Sequence, residues 1–173
     1  MPIEEIDLKI EGKKLPEKVK NYLRDANKLI DELFETERNR TIPQFIPCND
    51  ELLYHWLAAI KTSELCLGKV YCEWGSGYGV GACLASLLGY ESYGIEIEKS
   101  LTEASRKLAE DSNIAVTIIE RDYMPEGFEC YEGSGGAELI KPENYTYQDR
   151  SGLRPGYEGM DVDLDEVGIF FIY

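Results

Sequence analysis

The chain is poor in the residues that most often build metal centres and anion-binding surfaces. It has one histidine, His55, and its five cysteines (Cys48, Cys66, Cys72, Cys83 and Cys130) include no Cys-x-x-Cys pair. That leaves no zinc-ligand cluster to be read, and thiols lying mostly in apolar runs read as small core residues. Basic side chains are scarce: 18 Lys and Arg stand against 33 Asp and Glu, a formal net charge of −15. So acidic a surface repels phosphate backbones, and general nucleic-acid binding is not expected. No apolar stretch approaches the ~20 residues that cross a bilayer, and the N-terminus lacks the basic-then-apolar order of a signal peptide. A cytoplasmic protein with no membrane partner is expected.

What is present suffices for a folded domain. The 173 residues are 43% hydrophobic and include 12 tyrosines, enough for a substantial core. The charge is uneven. Residues 1–48 hold nine basic and ten acidic side chains, whereas residues 122–173 hold three and twelve. Acidity of this kind keeps a protein soluble, and it also suits a cationic acceptor such as an amine or a lysine-bearing protein.

Residues 72–79, Cys-Glu-Trp-Gly-Ser-Gly-Tyr-Gly, carry the strongest functional signal. They follow the apolar run Val70-Tyr71-Cys72 and precede a helical run, Val80 to Leu88, that stops at Gly89. Strand, glycine turn and helix bring backbone close to a nucleotide-like ligand and aim free helical N–H groups at it. Glycine accepts positive φ there and leaves no Cβ in the way. A second strand pattern, Tyr93-Gly94-Ile95-Glu96, ends in an acid 19 positions after Gly77. An acid so placed can accept hydrogen bonds from both hydroxyls of a ribose.

These residues resemble the class I S-adenosylmethionine-dependent methyltransferases, over about residues 49–123. Their first motif, an acid followed by Gly-x-Gly-x-Gly, is met by Glu73, Gly75, Gly77 and Gly79, with Ser76 inside it. Their second, an acid closing the next strand, falls on Glu96, followed by Ile97. Their third, an Asp after the third strand near the adenine, falls on Asp122, followed by Tyr123. The resemblance implies S-adenosylmethionine as cofactor, those nine residues as its binding set, and a small-molecule or protein acceptor. It implies no catalytic base, although Tyr123 and Tyr173 would stand near the pocket mouth. The Gly-Ser-Gly and Tyr-Gly-Ile-Glu phrasing is similar to that of seven-strand protein-lysine methyltransferases, which makes N-methylation of an amine or lysine the expected subtype.

A nicotinamide dinucleotide fold is the rival, since Gly77, Gly79 and Ala82 fit Gly-x-Gly-x-x-Ala. Against it stands Glu73, a carboxylate where a pyrophosphate would lie, but a favourable neighbour for a sulfonium and an ammonium. An NAD-binding oxidoreductase and a non-catalytic binding or assembly module remain the alternatives.

The fold expected is α/β, a Rossmann-like, doubly wound, mainly parallel sheet flanked by helices. Residues 1–48 form an N-terminal extension, with a possible short strand at Ile6, Leu8 and Ile10 and an amphipathic helix from Pro16 to Glu37. Residues 49–173 form the cofactor domain. Asn49 caps a helix from Asp50 to about Leu65 that buries Leu53, Trp56, Leu57 and Ile60. Ser100 and Glu103 form a capping box for the next helix, and Val116–Ile119 the third strand. Residues 124–166 form a long irregular insertion whose Asp161-Val162-Asp163-Leu164-Asp165 lacks the glycine of a calcium loop. Gly168–Tyr173 reads as the fourth strand. The resembled fold orders seven strands 3-2-1-4-5-7-6, so the C-terminal part of the sheet is expected to be missing here. An apolar strand edge left bare would promote self-association.

Overall fold

Side-chain alternation along the first strand, β1 (Val70–Trp74), splits the core into two layers. Tyr71 packs towards helices, with Leu53, Leu57, Ala82 and Ala85, whereas Val70 and Cys72 pack on the opposite face with Tyr93, Ile95, Ile119 and Tyr157. The computed structural model describes residues 8–10, 14–36, 48–63, 65–66, 68–124 and 156–172. Around β1 are α1 (Glu17–Thr36), α2 (Asp50–Ser63), α3 (Val80–Leu87), β2 (Glu91–Glu96), α4 (Lys99–Asp111), β3 (Thr117–Glu120) and β4 (Val167–Ile172).

The four strands are parallel, in the order β3-β2-β1-β4. The chain therefore winds outward from β1 to β3 and then returns to the other side of β1. Such a reversal opens a crevice at the carboxyl ends of the strands. This is the Rossmann-like sheet that the strand and helix patterns predict.

One helical layer carries most of the burial. Leu15, Val19, Tyr22, Leu23 and Ala26 from α1 and its approach pack with Val80, Cys83 and Leu84 of α3 and Leu101, Leu108 and Ala109 of α4. Glycine lets the layers close. A Cβ at Gly94 would stand 2.8 Å from Ser76 Oγ and 2.9 Å from Ile118 Cδ1. Arg106 of α4 donates from Nε and Nη2 to the Ile118 carbonyl (3.1 and 2.8 Å), fastening that helix to β3. The opposite face is covered by Tyr157, Met160, Val162 and Leu164.

Several expectations need correction. The buried face of α2 is Leu53, Tyr54 and Leu57, and Trp56 is 37% exposed. The core meets the helix on the Tyr54 side of the apolar stripe, which leaves Trp56 beyond its edge. No capping box forms at Ser100 and Glu103. Glu98 is the N-cap, Thr102 N–H donates to the Glu98 carbonyl (3.0 Å), and Ser100 is already helical. The cause is local: Glu98 N–H donates to Glu96 Oε1 (2.8 Å), which turns the chain early, and Glu103 pairs with Lys99 instead. Residues 8–10 are not in a strand. Ile6, Phe45, Pro47, Cys130, Tyr173 and most of the 124–166 insertion lie outside the described residues.

Two substitutions test this account of the packing. Asn49 Oδ1 accepts Leu52 N–H (3.1 Å), so Asn49→Ala should cost about 1 kcal/mol. Gly79 has φ +66°, and a Cβ there would fall on Ser105 Oγ and lie 3.1 Å from Ile118 Cδ1. Gly79→Ala should therefore cost more, at least ~2 kcal/mol. Urea melts of the two variants should rank in that order; an equal or smaller loss for Gly79→Ala would mean that α4 yields freely.

Candidate functional site

The carboxyl ends of β1, β2 and β3 meet in one cleft, lined by Gly75, Ile95, Glu96, Ile97, Arg121, Asp122 and Tyr123. Counted to its open mouth, its space is about 270 Å³. Five residues singled out from sequence (Gly75, Glu96, Ile97, Asp122 and Tyr123) thus stand together. Ile95 and Arg121 were missed, although both lie within the strand-end patterns that were quoted.

Glu96 organises the cleft. It is buried, its Oε2 accepts Gly77 N–H (2.8 Å), and its Oε1 accepts Glu98 N–H (2.8 Å). One carboxylate therefore holds the glycine turn after β1 and the exit of β2. The turn is reinforced by Ser76 N–H donating to the Ile95 carbonyl (2.9 Å) and Gly79 N–H donating to the Ser76 carbonyl (2.7 Å). Gly75, Gly77 and Gly79 all have positive φ, between 53° and 68°. A Cβ on Gly75 would meet nothing within 4 Å, so open space lies in front of that residue.

On the β3 side, Arg121 N–H donates to the Glu96 carbonyl (2.8 Å), and Asp122 Oδ1 accepts Met124 N–H (2.9 Å). The Tyr157 hydroxyl donates to the Tyr123 carbonyl, tying the loop after β3 to the far face of the sheet. Trp74, at the end of β1, lies 6.0 Å from the Tyr123 ring and 5.1 Å from the Phe170 ring, centroid to centroid.

Glu73, Ser76, Gly77 and Gly79 are not in the cleft wall; they lie behind it. Ser76 is buried against Gly94. Glu73 points to the helical side, where its Oε2 accepts Ala82 N–H (2.7 Å) at the first turn of α3. Its carboxyl lies so tightly under α3 that a Cβ on Gly81 would stand 2.6 Å from Oε1. Burial pushes the Glu73 carboxyl up to about 8; the Ala82 N–H opposes the shift, and Asp50 and Glu96 add to it.

That shift has a definite sign in stability. The folded chain keeps the Glu73 proton up to about pH 8, whereas the unfolded chain releases it near the ordinary 4.5. Between those values the native state binds more protons, so this group makes stability fall as pH rises. The urea midpoint should be lower at pH 8 than at pH 5.5, and Glu73→Gln should flatten the difference. An unchanged pH dependence in that variant would show that Glu73 is ionised in the folded chain.

No family model and no curated protein matches the chain. Solved structures do resemble it. They include a methyltransferase from Geobacter sulfurreducens (20% identity, 62% of this chain, 58% of that one, TM-score 0.41). Another is the magnesium protoporphyrin IX methyltransferase of Synechocystis PCC 6803 with bound SAH (18% identity, 57% and 52%, TM-score 0.39). A third is a SAM-dependent methyltransferase from Agrobacterium tumefaciens (17% identity, 45% and 26%, TM-score 0.38). The chain spans less than two thirds of the length of each.

Proposed function

We propose that this chain binds S-adenosylmethionine in the cleft at the ends of β1, β2 and β3 and serves as a methyltransferase. The observation that carries the reading is the buried Glu96 beside an open glycine turn. Each of its oxygens accepts one backbone N–H and keeps a lone pair for a ribose hydroxyl. The remaining residues fit the same ligand. Ile97 (68% exposed) and Tyr123 (53% exposed) offer apolar surface to a purine, and Asp122 has a second oxygen free of the Met124 N–H for an exocyclic amine. Gly75 leaves room for backbone approach. Small-molecule sites commonly occupy ~300–1,000 Å³. The enclosed part of the cleft is smaller, about 70 Å³, so a nucleoside would sit partly in its open mouth, with the amino-acid end along the glycine turn.

The dinucleotide alternative is weakened by Glu73. A pyrophosphate needs the free N–H groups of a helix N-terminus. Here Ala82 N–H already donates to a carboxyl that fills the space under Gly81. When bound, the cofactor supplies a methyl group activated by its sulfonium; the chain's part is to orient it and exclude water. The excess of 33 acidic over 18 basic residues supports a cationic acceptor, an amine or a protein lysine. Among the described residues β4 is the outer strand, with Phe170 and Ile172 exposed (41% and 64%), which supports self-association through that edge. Light scattering that shows only monomer at high concentration would remove that part of the proposal.

Calorimetry tests the cofactor directly. S-adenosylmethionine and its demethylated product should bind, and NADH should bind far more weakly; the opposite ranking would overturn the assignment. Glu96→Ala should weaken binding by roughly 2–3 kcal/mol, about 30- to 150-fold, as charge-assisted bonds to the ribose are lost. Glu98→Ala should leave affinity nearly unchanged, since that side chain is exposed and outside the cleft wall.

A further inference from the structure

On the β3 side the cleft wall runs past the end of the sheet. The ladder between β2 and β3 ends at the pair Glu96 and Glu120, and one further bond follows it, Arg121 N–H to the Glu96 carbonyl (2.8 Å). Asp122 and Tyr123 stand beyond that point, and both line the cleft. Asp122 Oδ1 accepts Met124 N–H (2.9 Å), a local turn that fixes these residues to one another. What reaches them from a distant segment is Tyr157, 34 positions further on, whose hydroxyl donates to the Tyr123 carbonyl. The Trp74 ring, 6.0 Å from that of Tyr123, backs the same spot.

Tyr157 is itself firmly placed. It is 4% exposed and packs in one cluster with Cys72, Tyr93, Ile95 and Ile119 on the far face of the sheet. It opens a tight turn, closed by Met160 N–H donating to the Tyr157 carbonyl (3.0 Å), with Gly159 at φ +95° in the third position. A turn of this kind takes glycine there because φ is positive. The turn rests on β3, since a Cβ on Gly159 would stand 3.9 Å from Ile119 Cγ1. Burial pushes the Tyr157 phenol above its ordinary value, so the hydroxyl keeps its proton and remains a donor. The segment before β4 thus carries one fixed donor to the back of the cleft wall.

We propose that Tyr157 is a positioning residue for the nucleoside: by holding the Tyr123 carbonyl, it keeps Asp122 where a carboxylate oxygen meets the purine's exocyclic amine. This rests on the cofactor reading above and adds to it a residue from the segment that leads into β4. The phenol touches no ligand itself, because it lies outside the cleft wall. Its effect is on discrimination. A hydrogen bond from the amine to Asp122 depends steeply on distance and angle, so a wall free to shift loses selectivity for the amine first. The ribose contacts of Glu96 are independent of it, since that carboxylate is anchored by Gly77 and Glu98 N–H.

The test compares two nucleosides on the full chain by calorimetry. S-inosylhomocysteine differs from S-adenosylhomocysteine in carrying a carbonyl oxygen in place of the exocyclic amine. The unaltered chain should favour the adenosyl ligand by about tenfold or more, the worth of one hydrogen bond to a charged group. Tyr157→Phe removes one oxygen and leaves the ring in its cluster. It should weaken S-adenosylhomocysteine by roughly three- to tenfold and bring the two affinities close together. Leu164→Ala thins the same apolar cluster without touching the link, and should lower the urea midpoint while keeping the preference. The chain has two tryptophans, so in a Trp56→Phe background Trp74 reports alone. Acrylamide should quench it more readily once Tyr157→Phe releases the Tyr123 wall. If Tyr157→Phe does not fold, Gly159→Ala, which strains the turn that carries the ring, should lower the preference in its place. A full preference in the folded variant, an equal loss in Leu164→Ala, or no preference in the unaltered chain overturns the positioning role and leaves the cofactor reading standing. If neither nucleoside binds the unaltered chain, the cofactor reading fails and this inference with it.

Discussion

The Glu96 carboxylate is the constraint on which the cleft depends. A buried ionisable group needs its lone pairs occupied, and here two backbone N–H groups from different segments occupy them. Gly77 N–H belongs to the turn after β1, and Glu98 N–H to the turn after β2. Together with the Ser76 N–H bond to the Ile95 carbonyl, that shared acceptor ties the two segments on the cleft side. The parallel pairing of Glu73 with Gly94 and Trp74 with Ile95 sets the height of the two strands. Glu96 then converts that register into the position of the glycine turn.

Close approach of the helical layer is the second requirement, and glycine supplies it. Gly81 lets α3 settle on the Glu73 carboxyl, and Gly94 makes room for Ser76 and Ile118. The result is an acid held at a helix N-terminus, where the partial positive charge of the first turn is strongest. Burial outweighs that help, because α3 lies directly over the carboxyl and the surrounding layers exclude water from it. The two strand-end acids therefore share a chemical type and differ in setting. Glu96 opens on the cleft, and Glu73 is sealed behind it.

Much of this was legible in the chain because it depends on short-range rules. Acid and glycine spacing marked Gly75, Glu96, Ile97, Asp122 and Tyr123, which the structure gathers at one cleft. The helix breaks at Gly89 and the cap at Asn49 follow from local backbone chemistry. Errors arose where a local rule met a competing contact that the pattern did not show. Ser100 and Glu103 have the spacing of a capping box, but the Glu96 bond to Glu98 N–H had already set the helix start. Trp56 fits the apolar stripe of α2, but the stripe is wider than the surface that covers it.

By itself, then, the sequence determined the parallel α/β class, the glycine turn with its positive φ values, and the two acids at strand ends. Each follows from preferences that act within a few residues: side-chain period, capping chemistry and the freedom of glycine. Only the tertiary structure decided where the carboxyls point. Strand alternation puts Glu73 and Glu96 on the same face of the sheet, yet α3 covers one and leaves the other at the cleft. It also brought Tyr22 of α1 into one packed layer with Cys83 of α3, about sixty residues away in the chain. No local pattern encodes that meeting, because it depends on how α1 packs against α3 and α3 against β1, and burial is a property of the assembled layers.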